Sequence, residues 1–203
     1  MVADAISHTL ADVLAALGEA GIRVLVVGEV ASSVLARGRG GWRPTEIDLF
    51  LLPDDAERAA DLLATVGFRR ALGRQGWVHR VERDGVPVDL AYRQPGDVYV
   101  DEEMLSRAVP GSFGEVAIPL VPAEDLVVLK ALQHGEDRPA EWWDALAILE
   151  RDGLDWGYLA DRARQYGGQR LLGLLSYARS LGLAVPDAPL ETLFGFLEER
   201  REE

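Results

Sequence analysis

Residues 43–52 read Arg-Pro-Thr-Glu-Ile-Asp-Leu-Phe-Leu-Leu, and Pro53 closes the run. The apolar, β-favouring composition predicts a strand over Glu46–Leu52. Residues two apart on a strand share a face, so Glu46 and Asp48 stand side by side. Neighbouring carboxylates repel, and a stable fold avoids burying such a pair. A hard divalent cation removes the objection, because carboxylate oxygens are its preferred ligands. A third acid lies inside the apolar run Val86-Pro87-Val88-Asp89-Leu90, where it too calls for a cation or a hydrogen-bonding partner. The competing reading is a plain α/β scaffold whose acids are all solvated, and it expects the three carboxylates to lie apart.

Working outward, the flanking segments order themselves around this strand. Ile6, Leu10, Val13, Leu14 and Leu17 recur at helical spacing over Ala3–Glu19. Residues 22–27, Ile-Arg-Val-Leu-Val-Val, read as a buried strand stopped by Gly28. A short helix over Val30–Ala36 leads into the arginine-rich loop 37–44, and Asp54 or Asp55 is placed to cap a helix through Val66. Asp84-Gly85 is a strong two-residue turn signal, giving a hairpin of Trp77–Glu82 with Val86–Tyr92. A helix over Val100–Ala108 and a strand over Val116–Leu120 follow. From Pro122 the spacing is helical: Ala123–His134, Ala140–Glu150, Tyr158–Gln165, Arg170–Leu181 and Leu190–Arg200. The expectation is an α/β domain over residues 1–121 and a helical region over 122–203 packed on it.

Composition narrows the partners. The 203 residues carry a net charge of −13 and are 48% hydrophobic, enough for a sizeable core. Such acidity disfavours broad binding to nucleic acid, since a phosphate backbone repels it. Arg37, Arg39 and Arg43 form the nearest basic patch. Cysteine is absent, which excludes disulfides, thiolate metal sites and a cysteine nucleophile. His8, His79 and His134 are too scattered for a metal site. No run approaches the length of a membrane span and no leader-like pattern opens the chain, so a cytoplasmic protein is expected. Lys130 is the sole lysine in a chain whose other basic residues are all arginine.

Four segments carry a resemblance: Gly-Ile-Arg-Val-Leu-Val-Val-Gly (21–28), Arg-Pro-Thr-Glu-Ile-Asp-Leu (43–49), Val-Pro-Val-Asp-Leu (86–90) and Val-Pro-Ala-Glu-Asp-Leu-Val-Val-Leu-Lys (121–130). In this order they resemble the nucleotidyltransferase superfamily, in particular small bacterial members related to minimal nucleotidyltransferases and abortive-infection toxins. The resemblance implies a mixed β-sheet flanked by helices, with a helical C-terminal region. It implies that Glu46, Asp48 and Asp89 bind two Mg²⁺ ions and carry catalysis. The turn at Gly28, with Ser32 or Ser33, and Lys130 would approach the phosphates of an NTP. Two positions depart from the pattern: Glu29 replaces the second glycine of the turn, and Glu46 replaces an aspartate. Acceptors in the superfamily include antibiotics, tRNA ends and protein hydroxyls. The acidity favours a small-molecule or protein acceptor over nucleic acid. The resemblance leaves two functions in view: transfer of a nucleotidyl group from an NTP to a hydroxyl, and a catalytically degenerate binding or regulatory module, as in a toxin–antitoxin pair.

Overall fold

The acid-bearing strand lies at the centre of a mixed sheet, and the rest of the α/β portion is arranged to bury it. The structure, a computed structural model, describes residues 2–36, 43–73, 75–135 and 138–202. The chain divides into two compact units, residues 1–94 with 99–122 and residues 95–98 with 123–203.

The first unit runs α1 (Val2–Glu19), β1 (Val24–Val27), α2 (Gly28–Leu35), β2 (Ile47–Leu51), α3 (Pro53–Thr65), β3 (Arg69–Ala71), β4 (Val78–Arg83), β5 (Val86–Ala91), α4 (Glu102–Ser106), β6 (Val109–Phe113) and β7 (Val116–Leu120). The strands among the described residues form one sheet in the order β3-β4-β5-β2-β1-β7-β6. β2 runs parallel to β5 and β1 parallel to β7, and the remaining pairs are antiparallel. The central strands are the apolar ones. All four residues of β1 are buried, as expected of a strand covered on both faces. Ile6, Leu10, Val13 and Leu17 of α1 are buried too, each worth about 1.5–3 kcal/mol of transfer from water.

Several boundaries differ from expectation for identifiable reasons. α2 begins at Gly28 itself, two residues earlier than the spacing predicts. α3 starts with Pro53 at its first turn, so Leu52 takes the cap position and Asp54 and Asp55 fall inside the first turn. Proline is preorganised for that position, and the acids still face the positive end of the helix dipole. The helix expected over Val100–Ala108 contracts to α4, where Asp101 Oδ1 accepts the backbone N–H of Met104 at 2.7 Å. β3 and β6 were not expected. Both are sheet edges, where one flank is unpaired and strand patterning is weakest. Pro110 sits in β6, a position proline tolerates because an edge strand does not need every N–H. Arg37 and Arg39 of the basic patch lie outside the described residues, and Arg43 is exposed.

The second unit holds α5 (Ala123–Gln133), α6 (Ala140–Leu149), α7 (Trp156–Tyr166), α8 (Gly168–Ser180) and α9 (Asp187–Glu202). Its core includes Leu126, Leu129, Ile148, Leu159, Leu171, Leu175 and Leu193. Asp125 is buried there, accepting hydrogen bonds from Tyr158 Oη at 2.6 Å and Arg162 Nε at 2.7 Å. Among the described residues, no helix is long and apolar enough to cross a membrane.

Candidate active site

Four strands bring the site together as a row across the sheet. Val27 of β1 pairs with Asp48 of β2, Asp48 with Asp89 of parallel β5, and Asp89 with Arg80 of antiparallel β4. Directly paired residues point to one face, so Asp48, Asp89 and Arg80 line the same side. Glu46, in the bend just before β2, adds a third carboxylate. One oxygen from each of Glu46, Asp48 and Asp89 lies within 4.8 Å of the others. The carboxylates converge, which the solvated-scaffold reading does not allow. Asp89 is 8% exposed, and Glu46 and Asp48 are half-buried.

Gly28 makes room for this cluster. Its φ of +65° is left-handed backbone, and a Cβ built on it would fall 2.0 Å from Asp48 Oδ2 and 2.9 Å from Asp48 Cβ. Glycine is therefore required twice, by conformation and by the close approach of the aspartate. Glu29 follows in the first turn of α2, where its charge opposes the positive end of the helix dipole. Ser32 is fully buried, and among the described residues its hydroxyl has no hydrogen-bond partner. Ser33 Oγ donates to the carbonyl of Val30 at 2.7 Å, within its own helix.

Arg80 is the residue the sequence reading missed. Its Nε donates to Asp89 Oδ1 at 2.5 Å, and its Nη2 donates to Asp89 Oδ2 at 2.6 Å and Glu46 Oε2 at 2.7 Å. The Asp89 contact is a bidentate fork, the strongest geometry available to this pair of groups. The side chains of Arg80 and Asp89 are only 12% and 11% exposed. The hydrogen bonds with Asp89 chiefly, aided by the charge of Glu46, outweigh the effect of burial and raise the arginine pKa further. Arg80 is cationic at every working pH. A signal for it was present in the sequence. The two-residue turn Asp84-Gly85 sets Arg83 against Val86, and counting back three positions on each arm puts Arg80 opposite Asp89.

The donor set suits a hard divalent cation: three carboxylates and no sulfur or imidazole. The space that a Cβ on Gly28 would fill is taken by the Asp48 carboxylate. The same set also suits a guanidinium, and Arg80 already spans Glu46 and Asp89.

Lys130 belongs to the second unit. Its Nζ donates to Glu141 Oε2 at 2.7 Å and Asp144 Oδ2 at 2.8 Å, and the residue is 4% exposed. Burial alone would lower its pKa, but the two carboxylates outweigh burial and hold the amine above its usual range. Trp142 stacks on His134 with ring centroids 4.4 Å apart, and neighbouring Trp143 is 64% exposed.

Solved structures with the same fold include the antibiotic-resistance factor ANT(2'')-Ia, at 15% identity and a TM-score of 0.55, matched over 91% of this chain and 96% of that chain. The lincosamide antibiotic adenylyltransferase LnuA, lincomycin-bound, is 13% identical with a TM-score of 0.50, over 68% of this chain and 93% of that one. An antigenic nucleotidyltransferase-like protein from Paracoccidioides brasiliensis is 15% identical with a TM-score of 0.53, over 73% and 77%. No curated protein sequence matches the chain. Residues 6–166, most of the chain and all of the carboxylate row, match the family described as "Nucleotidyl transferase of unknown function (DUF2204)". The chain belongs to that family, within the nucleotidyltransferase superfamily.

Proposed function

We propose that the protein transfers a nucleotidyl group from an NTP to a hydroxyl acceptor with the help of Mg²⁺. The observation that carries this reading is the convergence of Glu46, Asp48 and Asp89 beside the Gly28 turn. In the reaction, the acceptor oxygen attacks the α-phosphorus, the bond to the bridging oxygen breaks, and pyrophosphate departs. A divalent cation held by the three acids would offset the charge of the triphosphate and of the leaving group. Glu46, Asp48 and Asp89 would serve as ligands, and Asp89 would also help to deprotonate the acceptor hydroxyl. Gly28 lets the chain turn tightly next to the phosphates, with Ser32 one helical turn further on. Lys130 is carried as a phosphate-facing residue only on family order, and its pairing with Glu141 and Asp144 would have to open for that role.

The acceptor is proposed to be a small molecule or a protein in the cytoplasm. The net charge of −13 favours a cationic acceptor over nucleic acid, and antibiotic adenylyltransferases share the fold. A second reading, a catalytically degenerate binding or regulatory module, as in a toxin–antitoxin pair, is favoured by Arg80. Its fork already engages the two oxygens of Asp89 that proton transfer would use. Calorimetric titration with ATP and Mg²⁺, followed by a pyrophosphate-release assay, separates the two. No binding at millimolar nucleotide sinks the transferase reading, and binding without pyrophosphate release under any NTP and acceptor supports the module.

A further inference from the structure

A triphosphate that approaches the acid row meets three carboxylates, and the lysine expected to offset it is held elsewhere. Lys130 belongs to the second unit, where Glu141 and Asp144 bind its Nζ at 2.7 and 2.8 Å and its side chain is 5% exposed. Along the row of paired strands, the one cation is Arg80. We propose that Arg80 is a phosphate ligand: it stays anchored on Asp89 and Glu46 and offers its remaining nitrogen, Nη1, to a non-bridging oxygen of the triphosphate. The proposal rests on the NTP reading above and names a residue that binds that substrate.

A guanidinium carries five N–H donors in a fixed plane. Nε donates to Asp89 Oδ1 at 2.5 Å, and Nη2 donates to Asp89 Oδ2 at 2.6 Å and to Glu46 Oε2 at 2.7 Å. That leaves the two donors on Nη1. Among the described residues they have no acceptor, and Nη1 is not one of the buried atoms left unsatisfied, so it opens to water. Oxygens of Glu46, Asp48 and Asp89 lie within 4.8 Å of one another, so a group bonded to two of these acids stands at the cluster itself. The fork and the β4–β5 register hold the plane in place, and the Nη1 donors keep one direction before and after a ligand arrives. Preorganised, charge-assisted hydrogen bonds of this kind suit phosphate as well as carboxylate. The Mg²⁺ that accompanies a polyphosphate offsets the acids, and Arg80 adds directed bonds. Lysine is not equivalent at such a position, because an ammonium is a point charge with no second edge to present in a fixed direction.

Magnesium tripolyphosphate tests this without a base, an acceptor or turnover. Its binding to the full-length protein is measured by calorimetry, and the folding of each variant is checked by circular dichroism. Arg80→Gln should weaken binding about tenfold or more, the loss expected of a charge-assisted hydrogen bond. Arg80→Lys should weaken it by a similar factor although the charge is kept. Arg83→Gln removes a cation from the same strand outside the row and should leave the affinity unchanged. In the wild type, nitrogen-15 NMR should show the Arg80 Nη signals shifting at saturation while the Nε–H signal, held by Asp89, stays; the Arg80→Lys spectrum identifies these signals by their loss. Wild-type affinity in folded Arg80→Gln or Arg80→Lys overturns the proposal. So do Nη signals that do not move, or a wild-type chain that binds no tripolyphosphate. Should Arg80→Gln fail to fold, Arg80→Lys and the wild-type spectra still decide. If ATP with Mg²⁺ binds the wild type and Arg80→Lys alike, the proposal falls and the transferase reading stands. The expected ranking without pyrophosphate release from any NTP sinks the transferase reading and leaves Arg80 a phosphate ligand.

Discussion

Replacing Gly28 with alanine tests whether the turn and the carboxylate row are one structure. The added Cβ would lie 2.0 Å from Asp48 Oδ2, 2.7 Å from Cγ and 2.9 Å from Cβ. Rotating the carboxylate away relieves the first two contacts but not the third, because Asp48 Cβ is fixed to the β2 backbone. The alanine must also hold a φ near +65°, at a cost of about 1–2 kcal/mol. Driving Asp48 off its rotamer adds about 0.5–1.5 kcal/mol, and the residual overlap between β1 and β2 adds about 1–3 kcal/mol. The sum is about 4 kcal/mol, which for a chain of this size lowers the melting temperature by about 8–16 °C. Gly21 supplies the control: its φ is +68°, and nothing lies within 4 Å of the Cβ position. Gly21→Ala should cost the backbone term alone, about 1–2 kcal/mol. Thermal unfolding of the two variants isolates the steric part. Mn²⁺ uptake, read alongside, should fall in Gly28→Ala and hold in Gly21→Ala. Equal melting temperatures for the two, or wild-type Mn²⁺ uptake in Gly28→Ala, would refute the reasoning.

Other predictions address the chemistry and the second unit. Asp48→Ala should abolish the heat of ATP/Mg²⁺ binding and any pyrophosphate release with little change in melting temperature, and a retained signal would place the chemistry elsewhere. Lys130→Met leaves Glu141 and Asp144 without their shared cation and should cost about 3 kcal/mol in urea unfolding; adding Glu141→Gln and Asp144→Asn should recover part of it. Because the folded-state pKa of Lys130 is raised, its stabilisation is complete below the ordinary amine value of 10.5 and is lost as pH climbs through the raised one. The gap in melting temperature between wild type and Lys130→Met should therefore be constant from neutral pH to about 10 and shrink above it. Asp125→Leu strands the buried Arg162 and should cost about 3–5 kcal/mol; a loss below 1 kcal/mol, about the worth of a surface pair, would show that the pair is not what holds α5 to α7.

The strands with one clear requirement were legible in the sequence. The apolar run of β1, the strand carrying Asp48 and the Asp84-Gly85 hairpin are where the sequence places them, although β2 starts at Ile47 and leaves Glu46 in the bend before it. The edges were not. Arg69-Arg70-Ala71 and Val109-Pro110-Gly111-Ser112-Phe113 form strands because a neighbour offers backbone partners, and side-chain pattern carries little of that information. At the site, family order named three acids, but the residue that engages two of them came from a different arm of the hairpin. An arginine among twenty has no distinguishing spacing, and only its register against Asp89 reveals it. Lys130 shows the reverse. Its uniqueness drew attention to it, while its partners Glu141 and Asp144 lie one helix further on, a pairing fixed by the packing of α5 against α6.

The Asp84-Gly85 turn, with φ of +52° and +78°, holds the arms of β4 and β5 to a single alignment. Side chains alternate along each arm, so one residue added at the tip would slide Arg80 to the opposite side of the sheet. Asp89 would then face a different neighbour, and the acid row would regain its full charge. The tip stands roughly four residues from the row, some 13 Å along the strand. The length of a surface loop thus fixes, from a distance, whether the acid row meets a guanidinium at all.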